Sequence, residues 1–221
     1  MLFFFTVTGR WLSVFAGPSY NFLRESWALS GDPLVKELRK SVVQVYVEGS
    51  PGNPQLRGSG FNVDPGGMII TNRHLVEDAA IVRVSFPGEG TFKAKEWIMS
   101  PHVDLAVIRL SAENLPVAVI SGYTSKPGDE LLVIGNPLQF ARIANRGVLA
   151  GYVSNRNRDI PLLLIEALIY PGSSGSPLFN EQGEVAGVIF ATIESRDPAE
   201  VRGLAIDAAE LRIFLSGITP D

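Results

Sequence analysis

PGSSGSPL, Pro171–Leu178, crowds two glycines, three serines and two prolines into eight positions. Glycine reaches backbone angles closed to other residues. A tight turn here can therefore aim successive backbone N–H groups into one concavity, a nest suited to a negative oxygen. Ser174 lies inside this stretch, between Gly172 and Gly175. A hydroxyl nucleophile beside an anion nest is half of an acyl-transfer site. The other half is a histidine base and a carboxylate to orient it. The chain has only two histidines, His74 and His102, so the search is short.

The bulk properties set the frame. A chain of 221 residues fits one large domain or two sub-domains sharing a cleft. Hydrophobic residues make up 46%, enough for a sizeable core. The 22 glycines and 15 prolines suit many short strands joined by turns. A net charge of −4 with no basic run gives nucleic-acid binding no support. With no cysteine and two histidines, neither a structural zinc site nor any other metal is expected, and no cofactor motif is present.

Residues 1–17, MLFFFTVTGRWLSVFAG, are apolar apart from Arg10 and a few Thr, Ser and Gly. A membrane span needs about 20 apolar residues, and Arg10 at mid-span would cost roughly 2.5–3.5 kcal/mol. The basic residues that open a signal peptide are missing. A membrane-associating or signal-anchor segment and a helix packed on the domain both remain open. Gly17–Ser30 reads as a linker. PLVKELRK reads as a short helix with Asp32 as N-cap and Pro33 in its first turn.

From Ser41 the hydrophobic period becomes two. SVVQVYVEG, GSGFNV, MIITN, AIVRVSF, TFKAKEWIM and DLAVIRL are six candidate strands, with GSGFNV and MIITN joined as a hairpin across Asp64–Gly67. Six more follow a loop at 111–127: ELLVIG, IANRGVLAGYVS, LLLIEAL, SPLF, EVAGVIFAT and RGLAID. An amphipathic helix, AAELRIFLSG, closes the chain. The expectation is an all-β protein of two six-stranded antiparallel barrels, about 41–110 and 128–207, within a domain of 31–215.

His74 follows the apolar strand MIIT, with Asn72 placed to cap a short helical turn. Asp104 opens an apolar strand, where Asp is a poor strand former and needs a reason to be. His102 follows Pro101 in a loop and reads as exposed. The order His74, Asp104, Ser174 separates the hydrolase architectures. The α/β-hydrolases place the histidine last, and no histidine follows Ser174. The subtilisin order would need Asp64, which sits in a D-P-G-G turn. The order His, Asp, Ser is that of the double-barrel chymotrypsin type.

The blocks GSGFNVDPGGMIITNRHLV (58–76), VDLAVIRL (103–110), GNP (135–137), NRGVLAGYVS (145–154), PGSSGSPLFNEQGEVAGV (171–188) and GLAID (203–207) resemble the trypsin-like serine peptidases of the HtrA/DegP-like branch. The resemblance implies that Ser174 is the nucleophile, His74 the base and Asp104 its orienting carboxylate. It implies an oxyanion hole from the N–H groups of Gly172 and Ser174. It places Ile169 at the base of the primary specificity pocket and Phe190, Ala191 and Thr192 along its rim. No acid maps to the pocket base, so small or medium apolar residues before the cut are expected. The implied partners are polypeptides in unfolded or flexible segments, the implied assembly a homo-oligomer such as a trimer, and the implied location a bacterial cell envelope, with the cytoplasm as alternative.

The sequence departs from that pattern in three places. Ser173 stands where the family has Asn, or Asp in digestive enzymes, so activation by a newly cut N-terminus is not expected. Ser176 replaces a glycine. The chain stops about ten residues after GLAID, so no PDZ domain is expected. The second functional reading is a protease-like scaffold, non-catalytic or gated by assembly, that binds extended peptides.

Overall fold

A computed structural model describes residues 21–49, 55–155, 158–193 and 202–218. The expected membrane role of residues 1–17 lies outside them. No helix among the described residues is long and apolar enough to cross a membrane.

The first strand unit contains β1 (Val42–Gly49), β2 (Leu56–Asn62), β3 (Met68–Thr71), β4 (Ala79–Phe86), β5 (Gly90–Lys93), β6 (Glu96–Met99) and β7 (Ala106–Arg109). All pairings are antiparallel, in the order β5-β4-β1-β2-β3-β7-β6. In β1, Val43, Val45 and Val47 turn inward at period two, each at most 3% exposed. They meet Ile69, Val82, Val84, Ala106 and Ile108 in the core of this unit. The expected hairpin is present, with Phe61 opposite Ile70.

A closed six-stranded barrel was expected here, and the unit is instead a curled sheet of seven. The segment read as one strand, TFKAKEWIM, breaks at Ala94–Lys95. Ala94 donates its N–H to Val82 O and Lys95 donates to Arg109 O, so adjacent residues reach opposite edges of the sheet. Among the described residues no β5–β6 ladder completes the ring.

The second unit matches the six-stranded expectation. β8 (Glu130–Gly135), β9 (Ile143–Asn155), β10 (Arg158–Ala167), β11 (Pro177–Phe179), β12 (Val185–Ile193) and β13 (Arg202–Asp207) form a closed barrel in the order β10-β13-β12-β11-β8-β9. Leu131, Val133, Leu163, Ile165 and Leu178 fill it. A further apolar layer spans both units, including Phe61, Ile70 and Val107 from the sheet and Ile134, Phe179 and Val188 from the barrel. The site sits on this fixed interface.

Four α-helices among the described residues dress the strands. The linker expected over Gly17–Ser30 holds a helix, α1 (Asn21–Ala28), followed by a 3-10 turn at Leu29–Gly31. Phe22, Ser26 and Leu29 recur at i, i+4 and i+7 and are all buried, which is a helical stripe. α2 (Pro33–Ser41) starts as expected, with Asp32 Oδ1 accepting from Leu34 N at 2.8 Å. α3 (Arg73–Val76) is a single turn after β3. α4 (Ala208–Ser216) is capped by Asp207 and closes the described chain.

Candidate active site

Strand register brings the first two residues together. β3 and β7 are antiparallel neighbours with Thr71 opposite Ala106. The chain leaving β3 through Asn72 therefore runs beside the chain entering β7 from Asp104. His74 donates its backbone N–H to Asp104 Oδ1 at 2.9 Å, and its ring Nδ1 meets Asp104 Oδ2 at 2.7 Å. A carboxylate oxygen only accepts, so Nδ1 carries the hydrogen and the neutral ring presents a bare Nε2. The His74 side chain is 40% exposed and that of Asp104 26%, as a pair at a cleft mouth should be.

Asn72 does not act as the expected cap. It occupies the N-cap position of α3, but its side chain makes no cap bond there. Its Nδ2 donates instead to Asp104 O at 2.8 Å, fixing the backbone that presents the carboxylate. His102 is exposed, as expected.

The turn around Ser174 is held from outside by its carbonyls. Ser173 N donates to Tyr170 O at 3.0 Å, closing a turn in which Gly172 has φ +96°. Ser173 Oγ accepts from Tyr170 N at 3.4 Å, so the serine that replaces the family's Asn or Asp is used locally. Pro171 O accepts from Leu138 N at 2.8 Å, and Ser173 O accepts from Ser176 N at 2.9 Å. In a trans peptide C=O and N–H point opposite ways. Pinning these carbonyls turns the amides of Gly172 and Ser174 the other way. Among the described hydrogen bonds neither amide donates to a protein acceptor. Burial pushes the Tyr170 phenol up, which keeps it neutral beside the turn.

Ser59, in the middle of β2, ties the turn to the first unit. Its N–H donates to Ser174 O at 2.8 Å and its Oγ donates to Gly172 O at 2.8 Å. Ser59 Oγ also accepts from Asn136 N at 2.8 Å, and Ser59 O accepts from Thr71 Oγ1 at 2.8 Å. Gly58 is the meeting point: a Cβ there would lie 3.2 Å from Ser174 O and would clash with Leu75, the neighbour of His74. Gly175 docks just as closely, since its Cβ would lie 2.7 Å from Thr71 Oγ1. Gly58 thus lies between Ser174 O and Leu75, and Gly175 lies against Thr71, three residues before His74. None of the described hydrogen bonds joins Ser174 Oγ to His74, and catalytic bonds of this kind are often loose without substrate.

Ser59, Asn136, Leu138 and the Asn72–Asp104 bond were not singled out from the sequence. A serine between two glycines in mid-strand was the signal for Ser59. Leu138 carries φ +50° and ψ +28°, a left-handed conformation costing about 1–2 kcal/mol in a branched residue. Its N–H is what holds Pro171 O.

The four specificity candidates divide. Ile169 is 3% exposed in the barrel core. It lies over Gly203, where any side chain would collide with it. Phe190 is half-buried against the layer between the units. Ala191 and Thr192 continue β12 beyond its pairing with β11, which ends at Val188, while β13 stays paired through Thr192 and Ile193.

Two antiparallel β units sharing an apolar layer, with a His–Asp pair on one and a serine in a glycine turn on the other, define the architecture of the chymotrypsin-like hydrolases. The trypsin-like peptidase domain matches residues 58–188, more than half of the chain, and the chain belongs to the trypsin-like serine peptidases; its similar relatives include HtrA- and DegP-like proteases. It is 34% identical over 173 residues to a putative serine protease HhoB of Synechocystis sp., covering 73% of this chain and 41% of that protein. It is 34% identical over 137 residues to a probable periplasmic serine endoprotease DegP-like of Pseudomonas savastanoi, covering 61% of this chain and 29% of that protein. The chain thus spans well under half the length of these relatives. The active form of the Rv3671c protease from M. tuberculosis superposes with a TM-score of 0.76 at 26% identity, over 88% of this chain and 87% of that one.

Proposed function

We propose that this chain is a serine endopeptidase that cuts polypeptides through an acyl-enzyme. Ser174 Oγ attacks the scissile carbonyl carbon while His74 Nε2 takes its proton. The carbonyl oxygen becomes an oxyanion received by the amides of Gly172 and Ser174. As the C–N bond breaks, His74 returns the proton to the leaving amine. Water then repeats the cycle on the ester and frees Ser174. Asp104 holds His74 through two bonds, one to its backbone N–H and one to ring Nδ1, and stabilises the imidazolium. Positioned proton transfer contributes about 10²–10⁴-fold, and each oxyanion donor about 10²–10³-fold.

The observation that carries this reading is the doubly bonded His74–Asp104 pair packed beside a turn whose two relevant amides are spare. The free edge of β12 at Phe190–Thr192 suits an extended substrate strand, added by backbone pairing. Ile169 over Gly203 fills the pocket base, which favours small or medium apolar residues before the cut. Substrates are then unfolded or flexible protein segments, in keeping with an extracytoplasmic setting and with work as a homo-oligomer.

Labelling of the purified protein with a fluorophosphonate probe tests this, with Ser174→Ala and His74→Ala beside it. Labelling of the wild type that is lost in both variants is expected. A folded wild type that stays unlabelled, with and without added unfolded protein, would overturn the reading and leave a peptide-binding scaffold.

A further inference from the structure

A cavity of about 460 Å³ lies where α1 and α2 meet the loop after β8. Four cations line it: Lys36, Arg39, Lys40 and Arg142. Among the described residues no carboxylate lines it. Glu37 pairs with Lys40 on the outer face at 2.6 Å, and Glu25 is engaged by Arg146 N at 2.8 Å. Neither answers the two arginines.

The Arg39 guanidinium is held in place, and Arg142 is fixed through its backbone. Arg39 Nη2 donates to Ser26 O at 3.2 Å and to Ser26 Oγ at 3.0 Å, while its buried Nε has no partner. Arg142 sits in a left-handed backbone conformation, φ +51°, fixed by its N–H to Asn136 Oδ1 at 3.0 Å. Burial holds both side chains below the ordinary arginine range, and repulsion from Arg39 adds to the effect on Arg142. Arg39 and Lys40 in the last turn of α2 would complement the helix dipole by themselves. That accounts for neither Arg142 facing a like charge nor a cavity between them. Like charges drawn together at half-buried positions call for an anion.

We propose that this cavity binds a phosphate group, held by Arg39 and Arg142 with Lys36 closing over it. Guanidinium forks match the paired oxygens of a phosphate. The cavity is larger than an inorganic phosphate, which leaves room for an ester, and Trp27 beside it is 80% exposed. The group comes either free in solution or as the headgroup of an anionic phospholipid. Trp at a headgroup surface and the apolar residues 1–17 are compatible with the second source.

The test uses the full chain at low ionic strength. Inorganic phosphate is titrated by calorimetry, with chloride at matched ionic strength as control. Sedimentation with phosphatidylglycerol vesicles is compared with phosphatidylcholine vesicles. Arg142→Gln, at a half-buried side chain, and Lys36→Gln, at an exposed one, are measured in parallel. The expected result is phosphate binding that chloride does not mimic, weakened about tenfold or more in Arg142→Gln. If phosphatidylglycerol binding falls in the same variants, the source is lipid. If only free phosphate responds, the source is soluble. If neither phosphate nor anionic vesicles distinguish the wild type from Arg142→Gln, the proposal is overturned.

Discussion

Ser59→Ala isolates the tie between the two β units and the turn around Ser174. Ser59 is fully buried, and its hydroxyl makes three bonds that alanine cannot: one to Gly172 O at 2.8 Å, one from Asn136 N at 2.8 Å and one from Asn136 Nδ2 at 3.2 Å, of which the first two leave backbone groups behind. Leaving a buried backbone group unpaired costs about 1–3 kcal/mol. Two such groups, partly relaxed, put the loss near 3 kcal/mol, or roughly 6–12 °C of melting temperature for a domain of this size. The activity should fall for a different reason. Freed from Ser59, the Gly172 carbonyl can rotate toward the substrate and carry the Gly172–Ser173 peptide and the neighbouring amide out of line. Losing one oxyanion donor costs about 10²–10³-fold in kcat. The assay is kcat and KM on a peptide substrate well below the variant's melting temperature, with fluorophosphonate labelling rate as a second readout. A fall in kcat with little change in KM is expected. A melting temperature that drops while kcat stays within about threefold would refute the claim that Ser59 positions the turn.

Four further outcomes follow from the same geometry. Gly172→Ala would place a Cβ 2.6 Å from Asn136 O at φ +96°, so the turn must rotate; kcat should fall about 10²–10³-fold, read against labelling. Ser176→Ala should raise stability by about 1 kcal/mol and leave turnover unchanged, because the buried Ser176 Oγ has no partner; a thermal melt measures it, and a loss of stability would show a missed role for the hydroxyl. Ile169→Ala should widen the pocket base and move preference toward larger apolar residues before the cut; a peptide library shows the shift, and an unchanged profile would make Ile169 core alone. Phe22→Ala removes a ring that is 1% exposed and lies 4.8 Å from Tyr170 and 6.0 Å from Phe140. It should cost about 3–5 kcal/mol unless α1 detaches first, and turnover should fall with it because Tyr170 begins the turn at Ser174; full turnover would show that α1 only covers the barrel.

What could be read from the sequence was what rests on local pattern. Period-two runs such as VVQVYV announce strands because one face must be buried. An Asp at the head of an apolar strand announced itself as out of place, and Asp104 does face His74. The chain order of the three candidates pointed to the architecture. The missing parts all depend on closure at a distance. Whether the first sheet rings or stays open turns on Ala94–Lys95, whose bonds go to Val82 and Arg109, residues 12 and 14 positions away on β4 and β7. Ser59 is 113 residues from the carbonyl it holds and 77 from the amide it receives, so no window of sequence contains its function. Asn72 looked like a cap because Asn at that spot usually is one, yet the neighbouring β7 offered Asp104 O and the side chain crossed to it. The linker reading of Gly17–Ser30 missed that Phe22, Ser26 and Leu29 fall on one helical face against a barrel the sequence cannot place. These cross-unit bonds are also what set the site: the nucleophile's turn is fixed less by its own glycines than by Ser59 and Leu138, two residues contributed by other strands and loops.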